Sequence, residues 1–565
     1  MDLHLSVPKR GRRGMVLAVT LVIIAAILVA TAVYYSSMVN EKSSGEISRY
    51  ASQARYLAEA GLNHGISEIR ERIKGDLQQQ VSQIRSSSVF HAYVAAGDSL
   101  GFLKDFAYPN SGVKFTVSNG QAVLTLTPLT LNSGVQGSYE TVITVRASRV
   151  PEEDTSSGEK YIFYYSYNIT SRGYVSAANP AIEKNLVMSG GNFTLSVQRD
   201  TFAKFALFTA HHMTPSGTTV WFTSNTKFNG PVHTNERFSF AQSPGASFTE
   251  EVTQSQSKAR YYNNGWPILL DASSNTPYDV PSFSSGFSRG QDQINLESSI
   301  SQTDLKNQAL GSMQEPGQSG IYVPNDGTTL TGGIYIRGSA SVSLGVDSGN
   351  NPVYTITQGS TVKQIILDLA ASTTTVKSGT STQTYSGIPD GVDNEGILIY
   401  DKGDITALSG VVQSNSKVTV SSEQDIVITG NVTYESYNTS PSLNAEGYSN
   451  VLGILSWGGD VRIAASAPDN ISIHGVVMAP HGVFEVDNYS SGSPRGTATI
   501  LGGAITDFYG PFGTFSGNSN ISGYGRNFVY DARMLSGMTP PYFPYMTNFT
   551  SFISGLDSRP VWQEE

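Results

Sequence analysis

Hydrophobic positions change their spacing twice along this chain. From Met15 to Asn40 no residue is charged, and Met15–Val33 is an almost unbroken apolar run. Beyond Glu41 the apolar residues fall to three- and four-residue steps: Ile47, Tyr50, Ala51, Ala54, Leu57, Ala58, Gly61, Leu62, Ile66, Ile69 and Ile73. That spacing draws one face of a helix, and Arg49, Arg55, Glu59, Glu68, Arg70 and Arg72 lie on the other. No proline interrupts Met15–Lys74, so one helix is predicted there, ~90 Å long at 1.5 Å per residue. Gly45, Gly61 and Gly65 are its predicted points of bending.

The period then becomes that of strands. Val113–Val117, Ala122–Leu126, Thr141–Val145 and Tyr161–Ile169 alternate or are β-branched, with Gly, Asn and Ser clusters between them. Residues 90–205 are read as a β-rich head on the helix, with Pro151–Gly158 as an exposed loop. Residues 206–319 are read as a β-rich lead-in whose part 243–318 is a polar insertion, with a short helix near Asp304–Ser312. From 320 to 535 short apolar strands recur, among them Ile334–Ile336, Ile397–Tyr400, Val418–Val420, Val451–Leu455 and Thr499–Ile505. Brief strands at such spacing predict an irregular parallel β-helix, with a β-sandwich as the alternative. The domain reading is therefore 1–14 leader, 15–39 transmembrane helix, 40–205 amphipathic helix plus β-rich domain, 206–319 lead-in, 320–535 coil and 536–565 tail. The fold class is α+β, mainly β.

The apolar run is long enough for a bilayer, which needs ~20 such residues. Eleven of its residues are Val, Leu or Ile, and together they favour insertion by about 3–6 kcal/mol. Lys9, Arg10, Arg12 and Arg13 precede it, which holds the N-terminus in the cytoplasm and puts the remainder outside. Three readings fit: a secretory signal cut after Ala30-Thr31-Ala32, an uncleaved anchor, or a leader cut after Gly14 with the helix retained.

Gly14-Met15, the uncharged run and Gln53-Ala54-Arg55-Tyr56-Leu57-Ala58-Glu59-Ala60-Gly61-Leu62 resemble the N-terminal region of PilX-like minor pilins of the type IV pilus machinery. The resemblance covers about the first 75 residues, and more loosely some 200. It implies cleavage between Gly14 and Met15 by a prepilin peptidase, N-methylation of Met15, and other pilins or pseudopilins as partners. Major pilins carry a Glu at the fifth mature position, where this chain has Val19. The resemblance thus implies a tip or initiating subunit rather than a repeating one. Phe228-Asn229-Gly230-Pro231-Val232-His233-Thr234-Asn235 is similar to an uncharacterised domain found in some PilX-like proteins.

Composition narrows the rest. Charged residues are 15% of the chain, the net charge is −10 and the pI near 5.4, which argues against nucleic acid. There is no cysteine, so thiol chemistry, disulfides and Cys-based metal sites are excluded. His211, His212, His233 and Glu236 match no metal-ligand spacing, and no metal or cofactor is expected. Asp390–Gly396 lacks the oxygen spacing of a calcium loop and is read as a solvated turn. Asp401 and Asp404 are the candidate carboxylate pair of a glycoside hydrolase, or else acids at turns. The late aromatics Phe508, Tyr509, Phe512, Tyr524, Phe528, Tyr530, Tyr542, Phe543 and Tyr545 are read as a cover for the open end of the coil. The resulting expectation is a non-enzymatic minor pilin or pseudopilin in the cytoplasmic membrane, with a surface or polysaccharide as a further partner of the head. The alternatives are a tethered β-helical polysaccharide-active enzyme and a secreted adhesin.

Overall fold

The computed structural model describes residues 12–108, 114–126, 137–154, 159–175, 181–241, 245–263, 266–271, 281–296, 300–437, 448–516, 519–536, 538–556 and 562–564. Leader positions 1–11 and loop positions 155–158 lie outside them. The chain forms two compact units, 1–153 with 160–197 and 550–565, and 154–159 with 198–549.

In the first unit the helix runs on past Lys74. It comprises α-helix Arg12–Ser67, a π-turn Glu68–Ile73 and α-helix Lys74–Ser82, or ~100 Å at 1.5 Å per residue. Leu77 and Val81 continue the buried stripe of Ala54, Leu57, Ala58, Leu62, Ile69 and Ile73, so the glutamines at 78–80 lie on its outer side. At the π-turn Glu68 accepts a hydrogen bond from the Tyr108 hydroxyl and faces His64 Nε2 at 3.4 Å. The Tyr108 amide in turn donates to Asp76 Oδ2 at 3.1 Å. Residues 90–106, expected in the β-rich part, are instead helical: Ser88–Ala96 and Ser99–Phe106. Gly97 ends the first at φ 66° and Asp98 caps the second through the Gly101 amide, as left-handed glycines and N-cap aspartates do. Phe102, stacked on Phe106 at 4.5 Å and on Phe163 at 4.4 Å, ties this pair to the sheet.

That sheet is ordered Thr116–Ser118, Gln121–Leu126, Ser138–Asp154, Lys160–Val175, Ile182–Thr201 and Tyr545–Ser554, with Trp562–Glu564 antiparallel to Ile182–Thr201. The expected loop from Pro151 begins later, since Pro151–Asp154 is strand. The expected tail 536–565 is not one, because it supplies two strands of this sheet.

The second unit is a coil of stacked strands, paired in parallel from level to level. One column of inward side chains follows the strand register through ten levels: Ile334, Ile399, Val420, Ile454, Val477, Ala504, Leu207, Val232, Val252 and Phe287. At ~4.8 Å per level it is ~43 Å long. Its order corrects the domain reading. Residues 206–289 are no lead-in, since their strands stack on Pro494–Tyr509 and Ser519–Val529 and extend the same coil away from them. The chain enters the stack in its middle and runs to one end, and residues 300–310 lie at the other. That far end is closed by Gln302–Leu310, whose Leu305, Ala309 and Leu310 are buried, and by an antiparallel meander from Ala340 to Ser386.

The late aromatics do not cover the coil's end. Phe528, Phe228, Phe248 and Phe283 stack face to face on four successive levels inside it, at 4.8, 5.4 and 5.3 Å. Tyr542 and Phe543 lie along its flank, where added methyls at Gly391 and Gly453 would meet them.

At the end closed by the short helix, Glu315 meets Lys402, Lys306 at 3.4 Å and Arg337 at 3.3 Å. The Lys402 hydrogen bond is the main reason its carboxyl is lowered to about 2. Glu315→Gln is expected to cost about 1 kcal/mol near neutral pH. The wild-type advantage is lost as pH falls from the unfolded carboxylate range through about 2. Urea midpoints of both proteins at pH 7 and pH 2 test this, and an equal gap at both pH values would contradict it.

Candidate functional site

The N-terminal helix has two halves with different surroundings. Every residue from Met15 to Arg49 is exposed, and an 18-residue window here reaches a mean hydropathy of 3.0 with none of it buried. This helix is long and apolar enough to cross a membrane. Within the run, Thr31 Oγ1 donates to the Ile27 carbonyl at 2.7 Å and Thr20 Oγ1 to that of Val16. Neither hydroxyl therefore carries an unsatisfied donor into apolar surroundings. Gly14 and Met15 lie in the first turn of this helix, and Val19 is 51% exposed one turn further on. Ile47, placed on the apolar stripe by its spacing, is exposed as well, so the buried stripe starts beyond it.

The ten-residue motif 53–62 has a clear packing role. Ala54, Leu57, Ala58, Gly61 and Leu62 are buried, while Arg55 and Tyr56 face out. Small residues are needed because strand Lys160–Val175 comes very close. A methyl on Gly61 would lie 2.1 Å from Ser171 Oγ, and one on Gly173 would lie 1.9 Å from the Ala54 carbonyl. The second half of the helix is thereby fastened to its own sheet, and the first half packs on no other element among the described residues.

The candidate metal ligands go to separate environments. His211 Nδ1 is 2.9 Å from Asp507 Oδ1 and its ring stacks on Phe508. His212 lies in the core beside Phe222, Phe238 and Tyr509, and burial lowers its pKa to about 3. His233 stacks on Phe208, with Nδ1 2.8 Å from Thr253 Oγ1 and Nε2 3.0 Å from Asn235 Oδ1; burial lowers it to about 4. Glu236 accepts the His212 amide at 3.0 Å. Among the described residues no three His, Cys, Asp or Glu gather as a metal would require.

The acidic candidates are also part of the framework. In 390–396 Gln308 binds the Val392 and Asp393 amides and the Asp393 carboxylate, and Glu395 accepts the Tyr542 amide. Two sides of this turn are therefore packed, not solvated. Asp401 is fully buried and belongs to a polar column at one corner of the coil. That column holds Asp401, Ser422 and Ser456, and further along the stack Thr506, Thr209, Thr234 and Gln254. Most of these side chains bond turn backbone: Asp401 accepts Gly403 N at 2.8 Å, Ser422 donates to Gly403 O, Ser456 to Gln424 O, and Gln254 accepts Phe238 N. Asp404, Asp425 and Asp460 form a second ladder, each carboxylate accepting the amide that leads into the next level. Burial of Asp401, with the Asp404 charge adding to it, raises its carboxyl to about 8. A fully buried carboxyl has no access to a substrate, so this pair does not have the form of a hydrolase dyad.

The model of a domain of unknown function, DUF4900, matches residues 160–256, a stretch that includes Phe228–Asn235. No curated protein matches the chain. A solved structure, the competence-associated pilin ComZ from Thermus thermophilus, aligns with 92% of this chain and 97% of its own at 12% identity and a TM-score of 0.33. A score that low carries no argument about this chain.

The geometry explains the segment 228–235 without a ligand. Phe228 is in the aromatic stack, and Gly230, at φ 144°, turns the corner where a methyl would sit 2.4 Å from Tyr530 Cβ. Val232 is in the ten-level column, and Thr234 accepts from Thr209 at 3.0 Å. Asn235 grips segment 293–296, donating to Ile294 O at 2.7 Å and accepting from Ile294 N at 2.8 Å. Asn235 stands in the sequence only as the end of that segment 228–235, and no local pattern marks Trp457, because their neighbours across the coil come from distant parts of the chain.

Proposed function

We propose that this chain is a pilin-like subunit, cut between Gly14 and Met15 by a prepilin peptidase and N-methylated at Met15. Residues 15–39 hold it in the cytoplasmic membrane, with the N-terminus inside and the head outside. It meets other pilins or pseudopilins at the tip or at the start of a filament, and the head serves as a structural and adhesive surface without catalysis. The observation that carries this reading is the division of the helix, whose first half is apolar and exposed while the second packs on its own sheet. A free apolar half is what packing into a bundle of similar helices requires. Val19 supports the tip or initiating place, because it offers no carboxylate for the N-terminal amine of a neighbour. The size of the head points the same way.

The test is the mass of the mature N-terminus after expression with and without a prepilin peptidase. A terminus at N-methyl-Met15 that depends on the peptidase is the expected result, and Gly14→Leu should leave the leader in place. An intact leader in both strains, or a terminus at Val33, would sink the proposal.

A further inference from the structure

A groove of about 990 Å³ runs along the outside of the second unit. One wall is a column of Trp457, Pro480, Asp507, Ala210 and Asn235. Each follows directly on a residue of the corner position, so the five stand on five successive levels, ~19 Å from first to last at ~4.8 Å per step. The opposite wall is formed by segments 293–296 and 300–302, which contribute Gln293, Asn295 and Gln302. Both segments are held in place. Asn235 holds Ile294 by two hydrogen bonds, and the capping box of Ser301 and Asp304 starts the helix that closes the coil.

The lining is chemically uneven. Trp457 is 8% exposed, and its buried indole N–H has no hydrogen-bond partner among the described residues, a costly state for a donor. Amides line the far wall, and His481 stands exposed beside Pro480. The acid in the groove, Asp507, already shares Oδ1 with His211. Neither lysine nor arginine is among the lining residues, and the chain's net charge of −10 further disfavours a polyanion.

From this groove we infer that the head binds a neutral polysaccharide chain lying along the stack axis. A sugar ring presents C–H groups on its faces and hydroxyls on its rim. The first suit an indole and a proline, and the second suit amides, which donate and accept, and a carboxylate, which accepts. The column offers these different contacts on successive levels along its length, as a linear polymer requires. The inference names a site and a ligand class for the head and does not depend on how the N-terminus is processed.

The test is calorimetry on the full-length chain in detergent micelles, with cellohexaose, maltohexaose, chitohexaose and polygalacturonate as probes. Binding of at least one neutral hexasaccharide is expected, weakened about tenfold or more by Trp457→Phe, which keeps an aromatic ring in the packing, and by His481→Ala, which alters only an exposed side chain. Three results would overturn the inference: no neutral hexasaccharide bound at millimolar concentration, binding unchanged in both variants, or binding confined to polygalacturonate. Because the uncleaved chain serves equally well in this assay, its failure would leave the Gly14–Met15 proposal standing.

Discussion

Replacing Phe228 by alanine should lower the stability of the coil by about 3–5 kcal/mol. Phe228 is 1% exposed and lies face to face with Phe528 on one side, at 4.8 Å and 23°, and with Phe248 on the other, at 5.4 Å and 9°. Phe222 adds an edge contact at 5.4 Å. Truncation removes the buried ring, and stacking worth ~0.5–1.5 kcal/mol per pair goes with it. The cavity has little means of collapse, because the levels above and below are fixed by strand pairing. Tyr262→Ala, at a site 36% exposed, is the control and should shift stability by no more than ~0.5 kcal/mol. Near-ultraviolet circular dichroism during urea unfolding reads both, and a Phe228→Ala midpoint equal to the control would show that the stack does not hold the coil together.

The second large effect depends on pH. Asp401 keeps its proton up to about 8 in the folded chain, against an ordinary value of 3.8. Between those values the folded state binds a proton that the unfolded state has released, so stability falls as pH rises. The fall ends above pH 8, where both states are ionised. Asp401→Asn does not titrate and keeps an oxygen for the Gly403 amide. Its stability relative to wild type should therefore climb by up to ~4 kcal/mol between pH 5 and pH 8, at 1.36 kcal/mol per unit, and then level off. Groups common to both proteins cancel in that difference. Urea unfolding of the pair at pH 5, 6.5, 8 and 9 gives the curve; a constant difference would mean that Asp401 is ionised throughout or reaches water.

The parts of the fold that could be read in the sequence were those encoded by local periodicity. The stripe from Ala54 to Ile73 is such a case, because its neighbours lie three and four residues away. The strands at Ile397–Asp401, Lys417–Ser422 and Val451–Ser456 are others, each a short β-branched run. What could not be read was which strand lies on which. Leu207 pairs with Ala504 and Thr226 with Arg526, and nothing in 207–229 marks those partners. The chemistry was hidden for the same reason. Asp401 looks like any acid beside a turn until Ser422 and Ser456 are seen to stack on it. Two acids at 401 and 404 suggested a catalytic pair, yet they belong to different ladders. The helices at 88–106 were lost because they are short and rich in aromatics, which favour strands on propensity alone.

The broken order of the coil also governs how it can be made. A chain synthesised from its N-terminus delivers 207–289 long before 494–529. Asn229 finally pairs with Val529, 300 positions later. Until then the strands Leu207–His211 and Thr226–Asn229 keep one bare edge, a template for any matching strand nearby. Pairing across such a distance is slow, and two emerging copies can exchange their late strands instead of closing on themselves. Forming the joint at Ala504 and Arg526 is thus the step that completes the coil, and crowding of nascent copies would put that step at risk.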